Sequence, residues 1–228
     1  MNNLNKLLLS SHLIKKARNG NYSVITGINQ PMAAPVPSAI PAAKARPVTN
    51  RQNVPSNNYY QPILDVIRKG EANVAGYDTM VGSNKPFDLT KKTLQQVMDV
   101  QKQRLKEYGG TAAGGYQILQ NNLAGLAKQH KHDLNKTLFD QNTQDTYARS
   151  LMDRRGFKDF LNSKINADQM RINLAKEWAA LPAQGERSYY HGKGTNKARV
   201  MAKDINAAIA KALELHRQAL KPSANTRN

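Results

Sequence analysis

A glutamate stands where a helix should give out. Pro62 suits a first helical turn, and Ile63, Leu64 and Ile67 form an apolar stripe ending at Gly70. Glu71 follows directly, in the run Arg68-Lys69-Gly70-Glu71. The partial negative charge at a helix C-terminus disfavours a carboxylate, and burial in a cleft would disfavour it further. Both effects raise the pKa, as a general acid working near neutral pH requires. The plainer reading is a surface glutamate beside Lys69.

A second feature is Thr111-Ala112-Ala113-Gly114-Gly115-Tyr116-Gln117-Ile118. Two glycines allow a sharp turn or a close approach of backbone to a ligand. Tyr116 and Gln117 would then present a ring face and an amide, groups suited to a sugar. The plainer reading is a loop with its tyrosine in the core. His130 and His132 could ligate a metal, but no third ligand follows at a recognised spacing, so a solvated basic surface with Lys128, Lys131 and Lys136 is expected instead. Gly192-Lys193-Gly194-Thr195 lacks P-loop spacing, and no nucleophile elbow is present.

The elements that must position these residues read as helices. Thr93 and Gln96 fit a capping box opening a helix with Leu94, Val97, Met98, Gln101 and Leu105 on one face, closed by Gly109-Gly110. Further helices are expected at about 116–130, 141–155, 157–163, 167–180 and 197–220. The last carries Val200, Ile205, Ile209, Leu213 and Leu220. Residues 72–92, with Gly76, Gly82 and Pro86, read as a loop or short β-hairpin. Residues 3–18 read either as a short amphipathic helix or as a frayed basic tail. Residues 30–58, with six prolines, read as an extended linker.

Composition bounds the chemistry. The 228 residues contain no cysteine, which excludes disulfides, thiolate zinc sites and a cysteine nucleophile. The net charge of +18 draws the chain to polyanions: nucleic acid, anionic lipid or cell-wall polymer. Residues 1–58 hold seven Lys or Arg and no acid, yet residues 59–228 are basic too, with 27 basic against 16 acidic residues. No apolar run approaches the length of a membrane span, and no signal-peptide core can be drawn at the N-terminus.

The pieces, taken in order, resemble the phage lambda endolysin family and its virion-borne relatives. The matching stretches are Gly70-Glu71, Gly76-Tyr77-Asp78-Thr79-Met80-Val81-Gly82, Thr93 with its helix, and Ala113-Gly114-Gly115-Tyr116-Gln117-Ile118-Leu119. Phe139-Asp140, Gln144-Asp145, Arg155-Gly156 and Trp178-Ala179-Ala180-Leu181-Pro182 follow. The resemblance covers roughly 62–192. It implies a mostly α fold of the α+β lysozyme-like kind: a helical domain with a small loop or β-hairpin insertion after its first helix.

The resemblance further implies Glu71 as the catalytic acid, with Tyr77, Asp78, Gly115, Tyr116 and Gln117 at the substrate and no metal or cofactor. Where the family usually has Gly-Arg-Tyr-Gln, this chain has Gly115 in place of the arginine, and Ala72 stands where a small polar residue is common. Asp78 and Asp88 are the candidates for a second carboxylate, which retaining and inverting glycosidases generally need. By the same resemblance, Tyr189, Tyr190 and His191 could extend the sugar cleft.

The expected activity is cleavage of the β-1,4 bond between N-acetylmuramic acid (MurNAc) and N-acetylglucosamine (GlcNAc) in peptidoglycan, by a muramidase or a lytic transglycosylase. The expected partners are the glycan strands and, through residues 1–58, other virion or tail proteins, with no specific nucleic acid. The expected location is the virion, with action at the host cell wall; holin-mediated release from the host cytoplasm is the alternative. The expected organisation is an arm at 1–58, a catalytic domain at 59–192, and a basic helix and tail at 193–228. The competing function is a non-enzymatic virion or DNA-binding protein, suggested by the charge and the basic C-terminal helix.

Overall fold

The computed structural model describes residues 58–192 and 196–220, with two strand segments further upstream. The linker at 30–57 lies outside the described residues, as do residues 3–13, 17 and 18 of the segment read as a helix. The described part of that segment, β1 (Ile14–Lys16), is a strand paired antiparallel with β2 (Tyr22–Val24). The β-branched Ile14 and Val24 pair across the ladder, and such residues prefer strand to helix.

A 3₁₀ turn at Asn58–Tyr60 leads into α1 (Gln61–Glu71), with Pro62 in its first turn. Its apolar stripe, Ile63, Leu64 and Ile67, is fully buried. Residues 72–92 form a loop with two 3₁₀ turns, held by Asn73, whose side chain bonds the backbone of Ala75 and Ser83 and the hydroxyl of Thr79. α2 (Leu94–Tyr108) opens on the reciprocal Thr93–Gln96 cap and closes at Gly109. Its buried face is Leu94, Val97, Gln101 and Arg104, while Leu105 is half exposed. Arg104 is accommodated because its guanidinium donates to the Val81 carbonyl at 2.6 Å and stacks on the Tyr108 ring.

The helix expected from residue 116 begins later, as α3 (Gln120–Gln129). Residues 113–118 instead close a tight turn in which Ala113 and Ile118 exchange backbone hydrogen bonds. Gly114 and Gln117 both adopt positive φ, which ends any helical run there. Met80 pairs with Ala113 on the other side, so the loop after α1 and this turn form a small β-like patch. Gln101 fastens the patch to α2 by donating to the carbonyls of Thr111 and Ile118.

α4 (Gln141–Arg154) is capped by Asp140 and buries Tyr147, Ala148, Leu151 and Met152. α5 (Phe157–Leu161) follows, and α6 (Ala167–Ala175) is capped by Asn166. α6 stops five residues before its expected end. Trp178 through Leu181 then cross the core, leading to the hairpin of β3 (Pro182–Gln184) and β4 (Arg187–Ser188). α7 (Ala202–Leu220) packs on α1 and α6 with Ile205, Ala208, Ile209 and Ala212 buried, while Leu220 is exposed. The fold is therefore mostly helical with small antiparallel sheets, an α+β class. Among the described residues no helix is long and apolar enough to cross a membrane.

Candidate active site

Glu71 is the last residue of α1 and is 3 % exposed. Its Oε1 accepts a hydrogen bond from the Ala180 backbone N–H at 3.0 Å. Its Oε2 is buried and has no hydrogen-bond partner. Burial pushes the carboxyl up to about 7; the Ala180 N–H and the Arg199 cation oppose the rise without cancelling it. Desolvation is thus the dominant cause. An oxygen that accepts an N–H is the carbonyl-like one, so the neutral acid carries its proton on Oε2.

Gly70 makes this seat possible. A Cβ there would lie 2.7 Å from Val200 Cγ2 and 3.0 Å from the Ala180 side chain. Only glycine lets the end of α1 sit so close to the two segments that enclose Glu71.

One turn before the acid on α1, Arg68 anchors a polar network that joins four segments. Arg68 donates to the hydroxyls of Tyr77 and Tyr116 and to Asp65. Both tyrosine hydroxyls donate to Asp145 Oδ1, at 2.8 and 2.6 Å. Gln144 ties the same region together: its Oε1 accepts from the Gly115 N–H, and its Nε2 donates to the carbonyls of Tyr77 and Phe139. Gly114 sits at φ 79°, and a Cβ there would run into the Gln144 carboxamide. The Trp178 indole donates to the Tyr116 carbonyl, two residues before Ala180 meets Glu71. The crossing at 178–181 therefore links the acid to the turn at 113–118.

The structure separates the expected site residues. Glu71 is buried in an acid-favouring seat. Tyr77 is half-buried beside Arg68, and its phenol is pushed up, chiefly by burial. The 113–118 turn departs from expectation. Tyr116 is 1 % exposed with its hydroxyl on Asp145, so its ring does not offer a face to a ligand. Gln117 folds its amide onto the Gly114 carbonyl, and Gly115 is buried as well. All three are buried, and the Tyr116 hydroxyl and Gln117 amide are engaged within the protein. Asp78 serves the loop: its carboxylate accepts from the Thr90 N–H and hydroxyl. Asp88 is exposed and pairs with Lys91.

Arg68, Ala180 and Arg199 were missed as members of the site. Arg68 had a signal, since it lies one turn before Glu71 on the same helix. It also bears on the missing family arginine. A Cβ on Gly115 would lie 3.2 Å from Arg68 Cδ and 3.3 Å from the Tyr77 ring. The Arg68 side chain occupies the space beside residue 115, so a basic group stands there from a different place in the chain.

Elsewhere, Tyr189 is half exposed under Lys176, His191 is exposed, and Tyr190 is buried with its hydroxyl donating to the Lys176 carbonyl. His130 bonds Ser150 and His132 bonds Tyr147. No group of three or more potential metal ligands exists among the described residues.

A mostly helical α+β domain with small antiparallel sheets has the build of a lysozyme-like fold. A model of the Endolysin family matches residues 64–211, from α1 through the first half of α7, and the chain belongs to that family. Membership makes it a phage-related protein of the peptidoglycan-degrading class, acting on the cell wall. No curated protein matches the chain.

Proposed function

We propose that the chain cleaves the β-1,4 bond between MurNAc and GlcNAc, with Glu71 as the acid. The observation that carries this reading is the seat of Glu71: Oε1 is held by the Ala180 N–H, Oε2 has no partner, and burial keeps the carboxyl protonated to about pH 7. Oε2 gives its proton to the glycosidic oxygen as the C1–O bond breaks, and GlcNAc leaves as the alcohol. The carboxylate then takes a proton from the incoming oxygen as that oxygen bonds to C1. In a transglycosylase this is the MurNAc 6-hydroxyl, closing a 1,6-anhydro ring; in a hydrolase it is water.

The engagement of Asp78 with Thr90 and the exposure of Asp88 favour a single-carboxylate path, and hence capture by the 6-hydroxyl. Arg68, one turn before the acid, and Tyr77, hydrogen-bonded to Arg68, are partly exposed polar groups, and we assign them to the saccharide. Mass spectrometry of muropeptides released from purified sacculi tests the assignment. Fragments ending in 1,6-anhydro-MurNAc, one water lighter than hydrolysed ends, are expected. Products cut only in the peptide stems would overturn it.

We also infer that the protein is carried in the virion, with residues 1–58 as its docking segment. An acid-free, basic sequence with six prolines supports a tethered docking peptide. Deleting residues 1–58 is expected to abolish virion incorporation while sacculus clearing persists. Normal incorporation of the truncated chain would refute the docking role.

A further inference from the structure

Ala180 is used from both sides. Its N–H donates to Glu71 Oε1, and its carbonyl accepts from the backbone N–H groups of Arg199 and Val200, at 2.8 and 3.2 Å. The Arg199 side chain then reaches back across the sequence and donates from Nη1 to the Gly70 carbonyl at 3.2 Å. That carbonyl belongs to the last turn of α1, where unsatisfied C=O groups give the helix end its partial negative charge. One residue therefore ties the end of α1 to the strand of chain that encloses Glu71, and brings a cation to the acid.

We propose that Arg199 is a positioning residue for the acid, holding the end of α1 through the Gly70 carbonyl and bringing its cation to the segment that encloses Glu71. The inference rests on the reading of Glu71 as the acid. It gives Arg199 a part in the proton cycle: a cation nearby eases formation of the carboxylate after the proton leaves, and so helps the second half of the reaction. Burial alone would raise the carboxyl further and favour only the first half.

Most other charged groups on the elements near Glu71 are engaged, and the rest are exposed to solvent. On α1, Asp65 and Arg68 pair with each other, and Arg68 also holds Tyr77 and Tyr116. Lys69 precedes the acid and makes no ion pair among the described residues. On the crossing segment, Glu177 is held by Arg155, and Lys176 lies over the Tyr189 ring. In the loop, Asp78 is held by Thr90. On the hairpin, Glu186 accepts from the Ala202 N–H. Before α7, Lys197 is exposed. Among the described residues, the Arg199 charge opposes the rise that burial imposes on the Glu71 carboxyl. Because Arg199 itself is exposed, salt screens that charge.

The test is the pH dependence of sacculus clearing by the full-length chain, at low and high salt, for wild type, R199Q, R199K and E71Q. Glu71 must be protonated to act, so activity falls as pH rises through its pKa. Removing the cation raises that pKa, and the alkaline limb of R199Q is expected to move up by about half a unit to one unit. R199K keeps the charge and is expected to keep the limb near wild type. High salt should carry the wild-type limb toward that of R199Q and leave R199Q unmoved.

A residue that only braces the fold would lower the rate or the melting temperature without moving the limb. Coincident limbs for R199Q and wild type at low salt would overturn the proposal. Should R199Q fail to fold, a wild-type limb indifferent to salt overturns it equally. Full clearing by E71Q would instead remove the acid itself, a different failure from an unmoved limb with E71Q inactive.

Discussion

Glu71→Gln is expected to reduce sacculus clearing by at least about 100-fold, the usual scale for loss of a positioned general acid. The same substitution should make the protein more stable in alkaline solution, a result that simple damage would not produce. The folded-state pKa is raised from the ordinary 4.5 to about 7. Between those values the folded chain holds a proton that the unfolded chain has lost, so stability declines as pH rises through this window and levels off above it. The loss amounts to about 3 kcal/mol, from 1.36 kcal/mol per unit.

A carboxamide cannot ionise and escapes that decline. About 2.5 kcal/mol of that loss falls between pH 5 and pH 8, so the difference in melting temperature, Glu71→Gln minus wild type, should widen by about 5–10 °C over that range, at roughly 2–4 °C per kcal/mol for a domain of this size. Thermal melts at the two pH values check it. A constant difference would mean that Glu71 ionises as an ordinary exposed carboxyl.

The second large effect lies away from the acid. Glu177 is 5 % exposed and sits among Arg155 at 2.7 Å, Arg154 at 3.8 Å and the Asn122 amide. Arg155 also donates to the Lys176 carbonyl and accepts, through its own carbonyl, the Asn173 amide. These bonds fix the end of α6, from which the chain turns into the Trp178–Leu181 crossing. Arg155→Ala would leave a buried carboxylate with only its weaker partners. Breaking a buried pair in this way costs about 3 kcal/mol, because the charge is left uncompensated. A drop of about 6–12 °C in melting temperature is expected, with clearing reduced because Ala180 follows from the same crossing. Removing both charges, in Arg155→Met with Glu177→Leu, should recover much of the loss. If the single variant melts like wild type, the network does not brace the crossing.

Local signals carried the helices and the place of Glu71 at the end of the first. The stripe Ile63, Leu64, Ile67 and the breaker Gly70 placed the end of α1, and Thr93 with Gln96 placed the start of α2, because capping and amphipathic spacing act within a few residues. The end of α6 was not legible. Met170, Leu174 and Trp178 keep helical spacing, but the indole of Trp178 is drawn to the Tyr116 carbonyl and the Ala180 N–H to Glu71, contacts 62 and 109 residues apart in sequence. Tertiary hydrogen bonds overrode a local period there.

The same limit hid Arg199, whose partner Gly70 is 129 residues away. At 113–118 the glycines announced a turn but not its contents. Gln101, Gln144 and Asp145 absorb the polar groups of that turn, so Tyr116 and Gln117 are buried where a presented ring and amide were expected.

The most direct measurement follows the Glu71 carboxyl itself. In a chain labelled with ¹³C at glutamate side-chain carboxyls, the Glu71 signal is the one absent from Glu71→Gln. Its chemical shift should titrate with a midpoint near 7, coincident with the alkaline limb of wild-type clearing. A midpoint near 4.5, the ordinary glutamate value, would mean that the carboxyl is ionised at neutral pH and has no proton to give.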